Sequence, residues 1–130
     1  MLSWGKHLLV NAHRGNKNIS CAKAITNFSH QLVKDIDMVA YGLPQVQHFG
    51  EGNKAGYTLV QLIQTSNITG HFCDDSGDIY LDVFSCKDYN EHQVMDLVKK
   101  VFEPYSVQYQ VIYRDAAPKK AMLVRMLEMK

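Results

Sequence analysis

The chain has 130 residues, of which 46% are hydrophobic and 21% are charged, and its formal net charge is +1. This composition predicts one soluble globular domain, residues 1–130, and the near-zero charge argues against a nucleic-acid partner. No apolar run approaches the ~20 residues of a membrane span, and the N-terminus does not resemble a signal peptide. Three cysteines in such a chain predict reduced thiols and a cytoplasmic location.

The first part of the chain predicts a strand followed by a helix. Alternating apolar residues predict a strand over residues 6–12, and a polar loop separates it from a helix that Asn18 or Ser20 would cap. Apolar side chains then recur at spacings of three and four residues, as on the buried face of an amphipathic helix. This buried face comprises Ala22, Ile25, Phe28, Leu32 and Ile36.

Glycines and a proline shape the segment that follows. Gly42 and Pro44 interrupt the chain before a short predicted strand over residues 46–49. The next segment, the glycine-rich loop of residues 50–56, lacks the Gly-Lys-Ser/Thr ending of a phosphate-binding loop. Two interpretations of this loop remain open: a hairpin loop, or a mobile cover over a functional site.

Residues 57–85 predict three short strands joined by tight turns, because β-branched and aromatic residues dominate each run. The predicted strands cover residues 57–64, 68–73 and 78–85. Ser66 and Asn67 form the first predicted turn and residues 74–77 the second, since Asn and Gly accept the positive φ angles of tight turns. Each strand is therefore expected to pair antiparallel with the next.

The C-terminal part predicts a second helix and a final strand. Asp88 or Asn90 can cap the helix, Pro104 ends it, and alternation over residues 107–113 predicts a strand with one wetter face. The apolar stripe of this helix is Val94, Leu97, Val98, Val101 and Phe102. In the tail after Pro118, three methionines share a possible helical face: Met122, Met126 and Met129. Such a face is typical of a core flank or a subunit contact.

The order β-α-β-β-β-β-α-β predicts an α+β fold, a two-layer α/β sandwich with an antiparallel or mixed sheet and both helices on one face. The other face would remain uncovered, and we expect it to carry Leu59, Ile63, Tyr80 and Val107. Leaving such side chains in water would cost about 1.5–3 kcal/mol each. A second copy would bury them, so we expect a homodimer with four αββα layers.

Three motifs follow one another along the chain. They are WGKHLLVN at residues 4–11, TSNITGH at residues 65–71 and DVFSC at residues 82–86. They resemble the Gly-Arg-His-Leu-Leu-Val-Asp, Glu-Ser-His-x-x-x-His and Asp-x-Phe-Thr-Cys motifs of the short prokaryotic S-adenosylmethionine decarboxylases. The last two motifs align without a gap, and the resemblance covers roughly residues 4–113, which is most of the chain.

This resemblance implies that the chain makes its own pyruvoyl cofactor. Decarboxylation of an α-amino acid needs an electron sink conjugated to the substrate amine, and no common side chain supplies one. In the family, a serine attacks the preceding carbonyl, and elimination from the resulting ester cuts the chain and leaves a pyruvoyl group. On this sequence Ser66 would attack the carbonyl of Thr65, and the cut would fall between these two residues.

The resemblance also implies roles for four further residues. His71 would be the base for the elimination, and Cys86 would protonate the substrate carbon after CO2 leaves. Thr58 occupies the position of a hydroxyl that stabilises the oxyanion formed during cleavage. Asp75 occupies the position of a glutamate that binds the ribose hydroxyls of the substrate, S-adenosylmethionine. The implied pathway is polyamine synthesis, leading to spermidine.

The sequence departs from the family motifs at several positions. Thr65 replaces the glutamate before the serine, and Asn67 replaces the histidine after it. Cys73 and Asp74 replace the Trp-Pro pair of the family's turn, and the glycine-rich loop is longer than usual. These departures affect processing and substrate identity more than the fold.

Other interpretations remain open on the sequence alone. The chain could be an unprocessed relative that binds a nucleoside or a protein partner without catalysis, or it could decarboxylate another amino acid such as ornithine or arginine. His71, Cys73 and Cys86 could bind a metal ion, although their spacing lacks the paired-ligand pattern of a zinc site. Cys86 could also be a buried structural cysteine.

Overall fold

The computed structural model of the chain describes residues 1–117 and 124–129. Its strands are β1 (Gly5–His13), β2 (Ala40–Phe49), β3 (Gly56–Ile63), β4 (Ser66–Cys73), β5 (Ile79–Ser85), β6 (Ser106–Arg114) and β7 (Val124–Met129). Its α-helices are α1 (Ala22–Asp35) and α2 (Glu91–Phe102), and short 3-10 helices lie at Lys17–Ser20 and Gly52–Lys54. Up to β6, the strands and α-helices follow the predicted order.

In the described residues, the strands form one seven-stranded sheet in the order β2-β3-β4-β5-β1-β6-β7. Every neighbouring pair is antiparallel. Both helices pack on one face of this sheet, where the Phe102 ring of α2 lies 5.0 Å from that of Phe28 in α1 and 5.3 Å from that of Phe72 in β4. The predicted two-layer α+β sandwich is therefore confirmed.

Alternation along the strands decides which side chains the helices cover. On β1, Leu8 is buried under the helices, while Leu9 is only partly buried on the opposite face. The prediction that Leu59, Ile63 and Val107 lie on the uncovered face is wrong, because all three belong to the buried core. The alternation of side chains along a strand shows which residues share a face, but it does not show which face meets the helices.

The opposite face of the sheet, called the open face below, carries both apolar and polar side chains. Tyr80, which was predicted there, is 47% exposed, and Leu62 is 51% exposed. Trp4 is 59% exposed, and its ring lies 5.9 Å from that of Phe84 on the same face. The predicted homodimer would form through this face, and dimerisation stays a prediction.

The two helices have different N-cap residues. The residues before α1 form a 3-10 turn, so the N-cap of α1 is Cys21, and the predicted caps Asn18 and Ser20 are wrong. Helix α2 is capped by Asn90, one of the two predicted residues, whose side chain accepts from the N–H of His92 at 2.9 Å. In residues 1–117 and 124–129, no helix is long and apolar enough to cross a membrane.

Strand β2 begins at Ala40, well before the predicted start at residue 46. It includes Gly42 and Pro44, which lie where the pairing with β3 shifts between Tyr41 and Gln45. Gly42 has a φ of 73°, which glycine adopts at little cost. Because β2 is an edge strand, a proline without an N–H is tolerated there. The predicted interruption is thus an irregularity within a longer strand.

The predicted helical face of the C-terminal tail is wrong where the structure describes it. Met126 and Met129 lie in β7, which pairs with β6 at the edge of the sheet. The spacing of the methionines suits a helix, but pairing with a free strand edge overrides this local pattern. Met122 and Pro118 lie outside the described residues.

We expect Phe102→Ala to destabilise the fold strongly, because this fully buried ring joins both helices to the sheet. The free energy of unfolding should fall by about 3–5 kcal/mol in urea denaturation followed by circular dichroism. Leu43→Ala serves as the control at a side chain that is 82% exposed, and it should change this value by less than about 0.5 kcal/mol. Equal losses in the two variants would contradict this description of the core.

Candidate functional site

The hairpin between β3 and β4 contains the predicted cleavage point. Ile63 pairs with Ser66, so the turn consists of Gln64 and Thr65, and the prediction of a turn at Ser66 and Asn67 is wrong. Thr65 has a φ of 57°, a left-handed conformation that is strained for a β-branched residue and costs about 1–3 kcal/mol. The strain therefore lies at the residue whose carbonyl the serine would attack.

The Ser66 hydroxyl is enclosed on the helix-covered face. Ser66 pairs with Ile63 and with Ser85, and both partners are buried on that face. Its Oγ is shielded from solvent, and no hydrogen-bond partner for it lies among the described residues. Buried polar groups without a partner are uncommon, and a catalytic role is one of the explanations for them.

Cys86 lies beside the same turn. It directly follows β5, and its Sγ is 2.6 Å from Oγ1 of Thr65. The residue is only partly buried, which differs from the enclosed setting of a structural cysteine. The structure thus brings together Thr65, Ser66 and Cys86, which we call the serine cluster.

Thr58 and His71 form a second group, which we call the histidine cluster. They lie opposite each other on β3 and β4, and Oγ1 of Thr58 is 3.0 Å from Nδ1 of His71. Both lie on the open face, where His71 also pairs with Tyr80 of β5. A cleft of about 260 Å³ adjoins them and is lined by Phe49, Gly50, Lys54, Gly56, Tyr57, Thr58, His71, Phe72 and Cys73.

The two clusters do not meet within one chain. Ser66 and His71 lie on the same extended strand, and at ~3.3 Å per residue their separation is about 16 Å. Because successive side chains alternate, their odd spacing also places them on opposite faces of the sheet. The sequence groups these residues in one site, whereas the single chain holds them apart.

The turn after β4 contains the predicted ribose-binding residue, Asp75, and its neighbour Asp74. Asp75 is exposed and lies beyond the residues that line the cleft. Asp74 has one oxygen 2.6 Å from Nε2 of His48, and its other oxygen accepts from Oγ of Ser20 at 2.8 Å. The hydrogen bond with His48, followed by that from Ser20, lowers the pKa of the Asp74 carboxyl, so this group is ionised at neutral pH.

The geometry does not support the metal-binding alternative. His71 and Cys73 alternate to the same side of β4, but Cys86 lies at the opposite end of the hairpin with Thr65. Among the residues that the structure describes, no three His, Cys, Asp or Glu side chains are close enough to hold a metal ion. Burial also raises the pKa of the Cys73 thiol, which makes it a poorer ligand at neutral pH.

Three aromatic residues border the cleft without having been predicted as site residues: Phe49, Tyr57 and Phe72. An aromatic residue next to a glycine-rich loop is a signal that could have identified Phe49, because flat apolar rings commonly line small-molecule sites. The loop joins the paired strands β2 and β3, as the hairpin interpretation predicts, and it also contributes to the cleft.

Comparison with known proteins agrees with this architecture. Among solved structures, the crystal structure of the adenosylmethionine decarboxylase from Aquifex aeolicus VF5 matches with a TM-score of 0.75 and 21% sequence identity. The match covers 92% of this chain and 97% of that chain, and at this identity it concerns the fold. No curated protein matches the chain. The family model described as S-adenosylmethionine decarboxylase matches residues 6–115, which confirms the resemblance of the motifs. The chain therefore belongs to the S-adenosylmethionine decarboxylase family.

Proposed function

We propose that the chain decarboxylates S-adenosylmethionine for polyamine synthesis and makes the pyruvoyl group for this reaction from Ser66. The serine cluster is the observation that carries the proposal. A buried Ser66 hydroxyl, without a hydrogen-bond partner among the described residues, follows the strained residue Thr65, whose Oγ1 lies 2.6 Å from the Sγ of Cys86. In a chain of this family, self-processing explains an arrangement that a plain hairpin does not require.

Processing begins at the peptide bond between Thr65 and Ser66. The Ser66 Oγ attacks the carbonyl carbon of Thr65, the C–N bond breaks, and an ester forms while residue 66 gains a free amine. The left-handed strain at Thr65 raises the energy of the uncut chain relative to this product. A base then removes the α-proton of residue 66, the Cβ–Oγ bond breaks, and Thr65 leaves as a carboxylate. Water finally displaces ammonia, which leaves a pyruvoyl group on the fragment 66–130.

The side chains of the two clusters fit this chemistry. A pyruvoyl group supplies the electron sink for the carbanion that remains when CO2 leaves. Cys86 lies at the cut, with its Sγ 2.6 Å from Thr65 Oγ1, and it holds the proton that returns to the substrate carbon. When Nδ1 of His71 donates to Thr58 Oγ1 across 3.0 Å, Nε2 is free to accept the α-proton during elimination. The Thr58 hydroxyl stabilises the oxyanion formed on attack.

In this proposal, the histidine cluster that completes each site comes from a second copy of the chain. Cys86 continues the alternation of Asp82 and Phe84, so the Cys86 side of the serine cluster borders the open face. A two-fold homodimer through this face would bring the histidine cluster of one protomer to the serine cluster of its partner. The cleft of about 260 Å³ is smaller than the ~300–1,000 Å³ of a typical small-molecule site, as expected for half a site.

The cleft favours a nucleoside-containing substrate over ornithine or arginine. Phe49 lines it on the open face and provides an aromatic ring against which a purine can stack. Asp75 lies in the turn next to Cys73, the last lining residue of β4, and would reach the ribose hydroxyls when the second protomer completes the site. The same cleft would serve the alternative function, a nucleoside-binding relative, if Ser66 remained uncut.

Self-cleavage is the first test. We expect the purified wild-type chain to split into fragments 1–65 and 66–130, and the second fragment to resist Edman sequencing because a pyruvoyl group blocks its N-terminus. Ser66→Ala should stay whole, whereas Ser106→Ala, a control at another serine that begins a strand, should be cut like wild type. Intact-mass spectrometry over several days gives the answer. A wild-type chain that keeps its full mass would refute the decarboxylase proposal and favour the nucleoside-binding alternative.

Variants of His71 and Cys86 should fail at different stages. His71→Ala lacks the base for elimination, so it should accumulate the ester, and hydroxylamine should then cut the chain between Thr65 and Ser66. Cys86→Ala should process but lose turnover by about 10²–10⁴-fold, as removal of a positioned acid predicts. Cleavage is followed by intact mass, and turnover by release of labelled CO2. Wild-type cleavage and turnover in both variants would show that these residues are assigned wrongly.

A further inference from the structure

Asp74 joins three segments that are distant in the sequence. Its carboxylate lies 2.6 Å from Nε2 of His48 near the end of β2, and it accepts from Oγ of Ser20, before α1, at 2.8 Å. Its backbone N–H donates to the carbonyl of Ala55, at the end of the glycine-rich loop, across 3.0 Å. One residue therefore connects both ends of this loop to the turn after β4.

The ends of the loop form a wall of the cleft. Phe49 directly follows His48, whose ring packs edge-on against that of Tyr57 behind the cleft, on the helix-covered face, with 5.0 Å between the centroids. Phe49, Lys54 and Tyr57 all line the cleft. Gly56 lies so close to β4 that a Cβ there would collide with the β4 backbone. The position of this wall therefore depends on contacts that bring the loop ends to β4.

We infer that Asp74 is a positioning residue that fixes the loop wall of the cleft beside the histidine cluster and so sets the affinity of the site for its substrate. It acts through His48 and Ala55 and does not contact the reacting atoms. The effect on catalysis rests on the proposed function. The effect on the loop does not, because it follows from the hydrogen bonds of the chain itself.

An aspartate at position 74 can make all three of these hydrogen bonds, with His48, Ser20 and Ala55. The family motif has Trp-Pro where this chain has Cys73 and Asp74. Proline has no backbone N–H to donate to Ala55 and no side-chain acceptor for His48 or Ser20. The three bonds of Asp74 are therefore ones that a proline at this position could not make.

Limited proteolysis of the full chain tests the effect on the loop. Lys54 is exposed within the loop, and trypsin cutting after it can be followed by peptide mass mapping. We expect Asp74→Ala to be cut there about tenfold faster than wild type, because two charge-assisted hydrogen bonds are lost. Asp74→Asn keeps an acceptor oxygen and the backbone N–H. Its cutting rate after Lys54 should therefore lie between those of wild type and Asp74→Ala. Asp96→Ala, at an exposed carboxylate of α2, is the control and should match wild type.

Steady-state kinetics test the effect on the site. In the decarboxylation assay, KM for S-adenosylmethionine should rise about tenfold in Asp74→Ala while kcat stays within about twofold, the pattern of lost ground-state binding. Asp74→Asn should restore part of the affinity. If Asp74→Ala does not fold, His48→Phe tests the same bond, because it keeps a ring against Tyr57 but lacks the nitrogen that contacts Asp74.

Wild-type cutting rates after Lys54 in both Asp74→Ala and His48→Phe would overturn the inference. A loss of kcat with unchanged KM would also overturn it, because Asp74 would then act in the chemical step. A chain that does not decarboxylate S-adenosylmethionine would refute the proposed function alone. The proteolysis result would still decide whether Asp74 positions the loop.

Discussion

The site depends on one property of an extended strand: side chains alternate between its faces, and each residue advances the chain by about 3.3 Å. On β4, this property places Ser66 beneath the helices and His71 on the open face, near opposite ends of the strand. The nucleophile at residue 66 and the base that later removes the α-proton of the same residue cannot both come from one copy of this strand. The monomer therefore contains two half-sites, and in our account assembly completes the catalytic machinery.

The short turn of the β3–β4 hairpin fixes this arrangement. Gln64 and Thr65 set the register that pairs Ile63 with Ser66, and a slip of one residue would move every side chain of β4 to the other face. The same turn concentrates strain at Thr65, where φ is 57°. A strained residue persists only where the surrounding structure holds it. The pairing of Ile63 with Ser66 and the hydrogen bond from the Gln64 N–H to the carbonyl of Val39, at 2.9 Å, provide this support.

Local periodicity predicts both helices and six strands, because periods of 3.6 and 2 are visible within a few residues. It does not reveal which face of a strand meets the helices, so Leu59 is predicted on the wrong side. Motif spacing identifies Ser66 and His71 but not their separation in space. The contact between His48 and Asp74 joins residues 26 positions apart, and no local pattern predicts it. Such long-range contacts depend on the order and register of the strands.

Co-expression of two differently inactivated chains tests most directly whether each site is shared between copies. His71→Ala keeps an intact serine cluster, and Cys86→Ala keeps an intact histidine cluster. Each mixed dimer would therefore contain one complete site. With random pairing, half of the dimers are mixed and half of their sites are complete, so the account predicts about a quarter of the wild-type decarboxylase activity per chain. If the co-expressed chains are as inactive as either variant alone, the shared-site account is contradicted.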